Sequence, residues 1–218
     1  MTCLLAWYIW DNYTSKGTTI AVIAHSMGGI LIRQAMIDTP YVSVFPPYLK
    51  ISDVATAGTP HQGLATGAAQ VWIRNQGCPS PCTQVFQMQA DNALMSNMNS
   101  KTWRGGFGRN PQGSGGTDWT TMASDFDDVM LGCGFVDRLG APANVEYSVC
   151  GLMPGAKHFV TYPGPYPAYA HPDYLEDTNT TWNADEAYSD NNGGTWVYVT
   201  TSEHSIYTLY EAILSSGW

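Results

Sequence analysis

The segment from Thr18 to Ile37 constrains the fold of this chain more than any other part of it. Residues 18–24 form a short run that is rich in β-branched residues and nearly all apolar. Such a run is typical of a strand buried on both faces of a parallel sheet. From Met27 onwards the apolar residues recur at helical spacing, until Pro40 ends the pattern. The sequence therefore predicts a strand, a sharp turn and a helix in immediate succession.

The rest of the chain continues this alternation of strands and helices. Short apolar runs rich in β-branched residues predict strands, and apolar residues at helical spacing predict helices. Such an alternation is typical of an α/β fold with a mostly parallel sheet flanked by helices. We therefore expect a single α/β domain over residues 1–218. Its predicted elements are helices at 3–15, 27–37 and 206–214 and strands at 18–24, 51–57, 119–123, 145–150 and 195–201, with a surface loop at 104–117 and a long irregular insertion at about 154–194.

Composition limits the classes of function. The chain has 218 residues, of which 44% are hydrophobic and 12% are charged, so it can bury the core of one domain. Its 9 Lys and Arg residues and its formal net charge of -9 argue against a nucleic-acid partner, because phosphate binding needs clustered cations. No apolar run reaches the roughly 18 residues that a bilayer-spanning helix requires, so no integral membrane segment is predicted.

Five cysteines bear on the compartment in which the chain functions. A zinc site would need a second ligand pair at metal spacing, which the sequence lacks, whereas two disulfides suit an exported protein. We predict that Cys78 pairs with Cys82 and Cys133 with Cys150, leaving Cys3 free; sequence alone does not fix the pairing, and free thiols are the alternative. A secreted, extracellular protein is therefore expected, although the apolar start of the chain lacks the basic region and cleavage site of a signal peptide.

Ser26 lies at the turn between the predicted strand and the predicted helix. A serine hydroxyl becomes a nucleophile when a neighbouring base takes its proton, and a tight strand-to-helix turn exposes it to a substrate carbonyl. Such a turn requires small residues two positions before and after the serine, which are Ala24 and Gly28 here. The N–H of Met27, at the start of the helix, would then stabilise an oxyanion. The alternative is a chance string of small residues around a serine, against which the flanking strand and helix argue.

Two motifs in order give a resemblance to a known family. The first is Val22-Ile23-Ala24-His25-Ser26-Met27-Gly28-Gly29, and the second is Ala57-Gly58-Thr59-Pro60-His61-Gln62-Gly63. Together they resemble the bacterial secreted lipases and esterases of the α/β-hydrolase superfamily, in which the serine lies on a turn called the nucleophile elbow. Residues 90–99 and the cysteine segment before them resemble actinobacterial-type lipases in particular. The likeness runs from about residue 3 to residue 150 and returns near His204.

The resemblance also implies an acid for a catalytic triad. Residues 121–129 are similar to the segment that carries the triad acid in such lipases, and Asp127 stands at the matching position. Its role would be to accept a hydrogen bond from the histidine Nδ1–H and to stabilise the imidazolium. Asp125 and Asp128 are alternatives, and a solvated acidic turn without a catalytic role is a further one.

The base of the triad is expected last in the chain, since this superfamily orders its triad as Ser, Asp or Glu, and then His. His204 fits that order, because it lies between the last predicted strand and the closing helix, in a segment similar to the histidine region of the lipases. His158 is its main rival, because it also follows a predicted strand. His25 neighbours the nucleophile, and His61 belongs to a turn that the family uses structurally.

The resemblance implies a serine carboxylester hydrolase that acts through an acyl-Ser26 intermediate, with no cofactor and no metal. The substrate would be an ester from a lipid, a small molecule or a polyester. The aromatic residues of the 154–194 segment could line an acyl or aryl cleft, or could pack only their own loop. The alternative function is a catalytically silent α/β-hydrolase-like module that serves in binding or assembly.

The first residues of the chain correspond to the helix that precedes the nucleophile strand, so the early strands of the family are expected to be absent. The second donor of the oxyanion hole normally comes from a loop in that early part. Either the sequence is a fragment, or another element supplies the donor, or activity is reduced by roughly 10²- to 10³-fold. A sheet shortened in this way exposes a strand edge, and a homodimer that covers this edge is a further hypothesis.

Overall fold

The computed structural model describes residues 1–64, 83–124, 151, 153, 156, 158–162, 182–188, 197–203 and 205–214, the last three strands by their backbone only. Helices and strands alternate along the first part of this range. The helices are α1 (Thr2–Asn12), α2 (Met27–Asp38), α3 (Thr83–Gln87), α4 (Ala93–Asn99) and α5 (Ser205–Leu214), with 3-10 helices at Thr14–Lys16 and Trp103–Arg109. The strands are β1 (Ile20–His25), β2 (Ile51–Ala57), β3 (Asp118–Ser124), β4 (His158–Tyr162), β5 (Trp182–Tyr188) and β6 (Val197–Glu203).

The strands form one six-stranded sheet in the order β1-β2-β3-β4-β5-β6, which is also their order along the chain. The pairings β1–β2, β2–β3 and β3–β4 are parallel, whereas β4–β5 and β5–β6 are antiparallel. Two successive antiparallel steps turn β6 back into the direction of β4, so β1, β2, β3, β4 and β6 all end at the same edge of the sheet. The expected α/β class is confirmed.

Two expectations about strands are wrong. The strand before Ser26 is not buried on both faces: Ala21 is exposed and Ile23 is 38% exposed. Its position explains this exposure, because β1 is the first strand in the sheet order. The 154–194 segment is not irregular throughout, since it contains β4 and β5. Strand β5 carries Asp185 and Glu186 in its centre and so has no hydrophobic pattern typical of a strand. Its pairing with the two neighbouring strands, β4 and β6, is what makes it a strand.

The other predicted elements of the described ranges have counterparts in the structure. The predicted first helix divides into α1 and the 3-10 helix at Thr14–Lys16, and the predicted loop at 104–117 begins within the 3-10 helix at Trp103–Arg109. The strand predicted at 145–150 lies outside the described residues, as do all cysteines except Cys3, whose thiol is free. In the described part of the chain, no helix is long and apolar enough to cross a membrane.

Helix α2 is held between two hydrophobic clusters. On one side Ile32 and Met36 pack with residues of α1 and of the sheet, including Val54. On the other side Ile30 and Ile37 belong to a cluster with residues of α3 and α4. Burial of both sides fixes the position of the helix, and with it the turn at its N-terminus that carries Ser26.

Candidate active site

Ser26 alone forms the turn between β1 and α2, since β1 ends at His25 and α2 begins at Met27. Its backbone has φ 53° and ψ -130°, a combination that residues with a side chain rarely adopt. Serine is a favoured N-cap residue because its oxygen can accept a hydrogen bond from the helix, but the Ser26 side chain makes no such capping bond. The turn is therefore strained, at a cost of about 1–3 kcal/mol that the surrounding structure must offset.

Three hydrogen bonds to the backbone of Ser26 hold it in this conformation. Its N–H donates to the Ala57 carbonyl over 2.9 Å, which extends the pairing of β1 with β2 by one residue. Its carbonyl accepts from the Thr59 hydroxyl at 2.9 Å and from the Gly29 N–H at 3.1 Å. The sheet, the turn after β2 and the first turn of α2 thus all restrain the same residue.

Two glycines follow the serine, and only one of them is required by close packing. A methyl group at Gly28 would lie 3.8 Å from the Ala24 Cβ, which is an ordinary van der Waals contact. A methyl group at Gly29 would lie 2.2 Å from the Thr59 Oγ1 and 2.6 Å from its Cγ2. The absence of a side chain at Gly29 is what allows Thr59 to approach the turn and bind the Ser26 carbonyl.

The amide of Met27 is the candidate oxyanion donor. It is the first residue of α2, and the N–H groups of a first helical turn have no partner within the helix. The partial positive charge at the N-terminus of a helix also favours an anion there. Position and electrostatics therefore suit this amide to a negatively charged oxygen bound beside Ser26.

Arg33 ties α2 to the turn that follows β2. Its side chain is fully buried, and all of its guanidinium nitrogens donate to oxygen atoms. The donors reach the carbonyls of His61 (2.9 Å), Met98 (3.0 Å) and Gly108 (3.0 Å) and the Asn99 Oδ1 (2.8 Å). Burial, and secondly the charge of Arg109, lowers the pKa of Arg33 to about 9, which leaves the side chain charged at neutral pH. Four oxygen acceptors therefore compensate a buried cation.

His61 is a structural residue of the same network, as expected. It is fully buried, with its Nε2 2.9 Å from the Thr56 Oγ1 and its Nδ1 3.5 Å from the Arg33 Nη1. Because Arg33 can only donate, these neighbours assign Nδ1 as the acceptor and Nε2–H as the donor. Burial, reinforced by the positive charge of Arg33, holds the pKa of His61 well below its usual value of 6.5. The imidazole is therefore neutral at neutral pH.

Asp127 and its alternatives Asp125 and Asp128 lie outside the described residues. The strand before them, β3, ends at Ser124 and is two strands away from β1 in the sheet. Two strand spacings amount to about 10 Å, and parallel strands end at the same edge. The segment that includes Asp127 therefore starts about 10 Å from the end of β1 in the sheet.

His204 also lies outside the described residues, between the last residue of β6 and the first residue of α5. Strand β6 ends at the same edge as β1, but five strand spacings separate the two strands, about 24 Å in a flat sheet. Helix α5 nevertheless packs against β1, β2 and β3, and its first residue, Ser205, is buried. The helix that begins directly after His204 therefore packs against the strand that leads to Ser26.

The structure disfavours His158, the rival base. It is the first residue of β4, where it pairs with Thr120 of β3. Thr120 pairs with Ala55 of β2, and Ala55 pairs with Ile23 of β1, so His158 lies level with Ile23. Ser26 lies three residues further on, beyond the carboxyl end of β1. A residue at that level lies within the sheet and not at its carboxyl edge.

Thr59, Gly29 and Arg33 support the turn, although no role is predicted for any of them from the sequence. The signal for Arg33 is a charged residue between Ile32 and Met36 on the buried side of a helix, where an unpaired cation would be costly. Within the described ranges, no group of three His, Cys, Asp or Glu side chains is arranged to hold a metal ion. Comparison of the chain with models of known protein families and with curated proteins gives no match.

Proposed function

We propose that this chain is a serine carboxylester hydrolase of the α/β-hydrolase type, with Ser26 as its nucleophile. The observation that carries the proposal is the strained backbone of Ser26 at the carboxyl end of a parallel strand. A non-glycine residue at such φ and ψ lowers stability, and strain of this kind clusters at functional sites. In the α/β hydrolases, the same succession of strand, turn and helix forms the nucleophile elbow.

The proposed reaction proceeds in two steps. His204 takes the proton of the Ser26 hydroxyl as its oxygen attacks the ester carbonyl, and the Met27 N–H donates to the oxyanion that forms. Asp127 orients and stabilises the imidazolium, which then protonates the departing alcohol and leaves an acyl-Ser26. A water molecule, deprotonated by His204, attacks the acyl-enzyme and releases the acid, with the proton returning to Ser26.

The charge of the protein bears on the proposed substrate and location. A formal net charge of -9 opposes the approach of anionic molecules, so an uncharged ester is the proposed substrate class. Lipid esters, small esters and polyesters all fall within this class. We also propose secretion, on the basis of the cysteine pattern and the low lysine content of the sequence.

One pair of variants tests the proposal. The parent protein is incubated with a fluorophosphonate probe and with p-nitrophenyl esters, and both measurements are repeated with Ser26→Ala and with Ser43→Ala, which removes an exposed hydroxyl elsewhere. We expect Ser26→Ala to abolish labelling and to reduce turnover by at least about 10³-fold, as loss of a nucleophile does. Ser43→Ala should match the parent.

Two outcomes would contradict the proposal in different ways. Labelling and turnover that survive Ser26→Ala would show that another residue is the nucleophile. A parent protein that folds but neither reacts with the probe nor hydrolyses any ester would favour the silent module, for which binding or assembly would be the function.

The exposed edge of the sheet supports a proposal about assembly. In the described part of the chain no strand pairs with the outer edge of β1, and Ile23 is partly exposed beside it. An unpaired edge presents N–H and carbonyl groups to which another strand can bind. We propose that β1 of a second copy pairs there, which gives a homodimer.

A further inference from the structure

A cleft of about 450 Å³ runs along the outer side of α2 and begins at Met27, the residue after Ser26. Its volume lies within the range of sites that bind small molecules. Helix α2 forms one wall, and α3 and the start of α4 form the other. Thr2, at the start of α1, also lines the cleft, and the apolar part of the lining comes from Met1, Met27, Ile30, Leu31, Met88 and Leu94.

The polar groups of the cleft are almost all neutral. Gln34, Gln84 and Gln87 contribute amides. The one carboxylate of the lining, Asp38, is already engaged, since it accepts from the Arg104 guanidinium at 2.8 Å and from the Gln34 amide at 2.7 Å. Among the described residues that line the cleft, no side chain is basic and none is aromatic. The side chains of the lining therefore offer no cation to an anionic ligand and no ring to stack on an aromatic one.

We propose that this cleft binds the acyl chain of the ester substrate, and that the chain is uncharged and aliphatic. The inference rests on the proposed function, because it takes the Met27 N–H as the oxyanion donor. The same residue contributes to the cleft, so a carbonyl bound at its amide directs the attached chain along α2. Continuity between donor and cleft is the reason to assign the acyl group, and not a separate ligand, to this site.

The helix sets the length of the chain that fits. From Met27 to Gln34 the helix rises about 10 Å, at roughly 1.5 Å per residue. An extended chain of about eight to nine carbons spans that distance, because each bond of about 1.5 Å advances the chain by roughly 1.3 Å. Methionine side chains are flexible and adapt to chains of differing shape. We therefore expect octanoyl esters to be preferred over acetyl esters and over benzoyl esters.

A tryptophan placed in the cleft tests this assignment. Gln87 is exposed and lines the cleft, whereas Thr83 is exposed on the same helix and does not line it. We expect Gln87→Trp to lower kcat/KM for p-nitrophenyl octanoate by about tenfold or more and to leave p-nitrophenyl acetate within about twofold. Thr83→Trp should change neither value. An equal loss on both esters, or no loss on octanoate, would overturn the assignment.

A binding measurement separates failure of this inference from failure of the proposed function. The ligand is 8-fluorooctan-1-ol, followed by ¹⁹F NMR with the Ser26→Ala protein, so that no chemistry is involved. We expect saturable binding that Gln87→Trp abolishes and Thr83→Trp preserves, and weaker binding of the 8-fluorooctanoate anion. Absence of binding would refute the cleft assignment even if esters are hydrolysed. Binding without ester hydrolysis or probe labelling would refute the proposed function, and the cleft would then be a site for an aliphatic ligand other than an ester substrate.

Discussion

At the scale of single residues, the two glycines after Ser26 make opposite predictions. Alanine at Gly28 fits the space beside Ala24 and improves helix propensity, so Gly28→Ala should raise the free energy of unfolding by up to about 1 kcal/mol. Alanine at Gly29 collides with Thr59, so Gly29→Ala should lower it by about 1–3 kcal/mol. Urea denaturation of the two variants gives both values.

The same pair separates turn geometry from global stability. If Thr59 is displaced by Gly29→Ala, the Ser26 carbonyl loses the hydroxyl that donates to it, and fluorophosphonate labelling of Ser26 should slow. Thr59→Val removes that hydroxyl without changing its size and should slow labelling in the same direction. Equal stability and equal labelling of Gly28→Ala and Gly29→Ala would show that the close approach of Thr59 does not shape the turn.

At the scale of elements, the link between α2 and the turn after β2 should make stability depend on pH. The pKa of His61 is depressed in the folded protein by burial and by Arg33, whereas the unfolded chain has the ordinary value near 6.5. The unfolded state therefore binds the proton more readily as the pH falls. Stability is greatest above pH 6.5 and should decrease below it, by up to about 1.4 kcal/mol per pH unit until the folded pKa is reached.

The measurement is the free energy of unfolding between pH 5 and pH 7, for the parent and for His61→Gln. Glutamine has an amide N–H that can replace the Nε2–H donor to Thr56, but it does not titrate. The variant should be less stable than the parent at pH 7 and should lose less stability on acidification. Parallel curves for the two proteins would show that His61 does not account for the pH dependence.

The sequence predicts the elements that a local pattern specifies. It does not predict features that depend on contacts with other elements. The apolar run before Ser26 and the helical spacing after it specify β1 and α2 without reference to the rest of the chain. Strand β5 has acidic residues in its centre, and only its pairing with β4 and β6 makes it a strand. The contact of Thr59 with Gly29 is equally invisible in the sequence, because the two residues belong to different elements.

At the scale of the whole molecule, the edge of β1 makes a prediction about mass. The N–H groups of Ile20 and Ser26 donate to carbonyls next to or within β2. Because successive N–H groups of a strand point in opposite directions, the odd-numbered residues of β1, such as Ala21, direct their N–H groups to the open edge. Proline at Ala21 removes one outward donor and leaves the pairing with β2 intact, since proline is tolerated on edge strands. Serine at the same exposed position keeps the N–H and serves as the matched control.

Light scattering over a range of concentrations measures this assembly. The parent and Ala21→Ser should reach twice the chain mass, and Ala21→Pro should raise the dissociation constant by at least about tenfold, or about 1.4 kcal/mol. Circular dichroism checks that the proline variant is folded. A monomeric parent at every concentration would exclude the homodimer, and a dimer that is indifferent to Ala21→Pro would assign the interface to a surface other than β1. Because Ser26 directly follows β1, a dimer through this edge would place two candidate sites next to adjoining strands, and labelling of Ser26 would then depend on protein concentration.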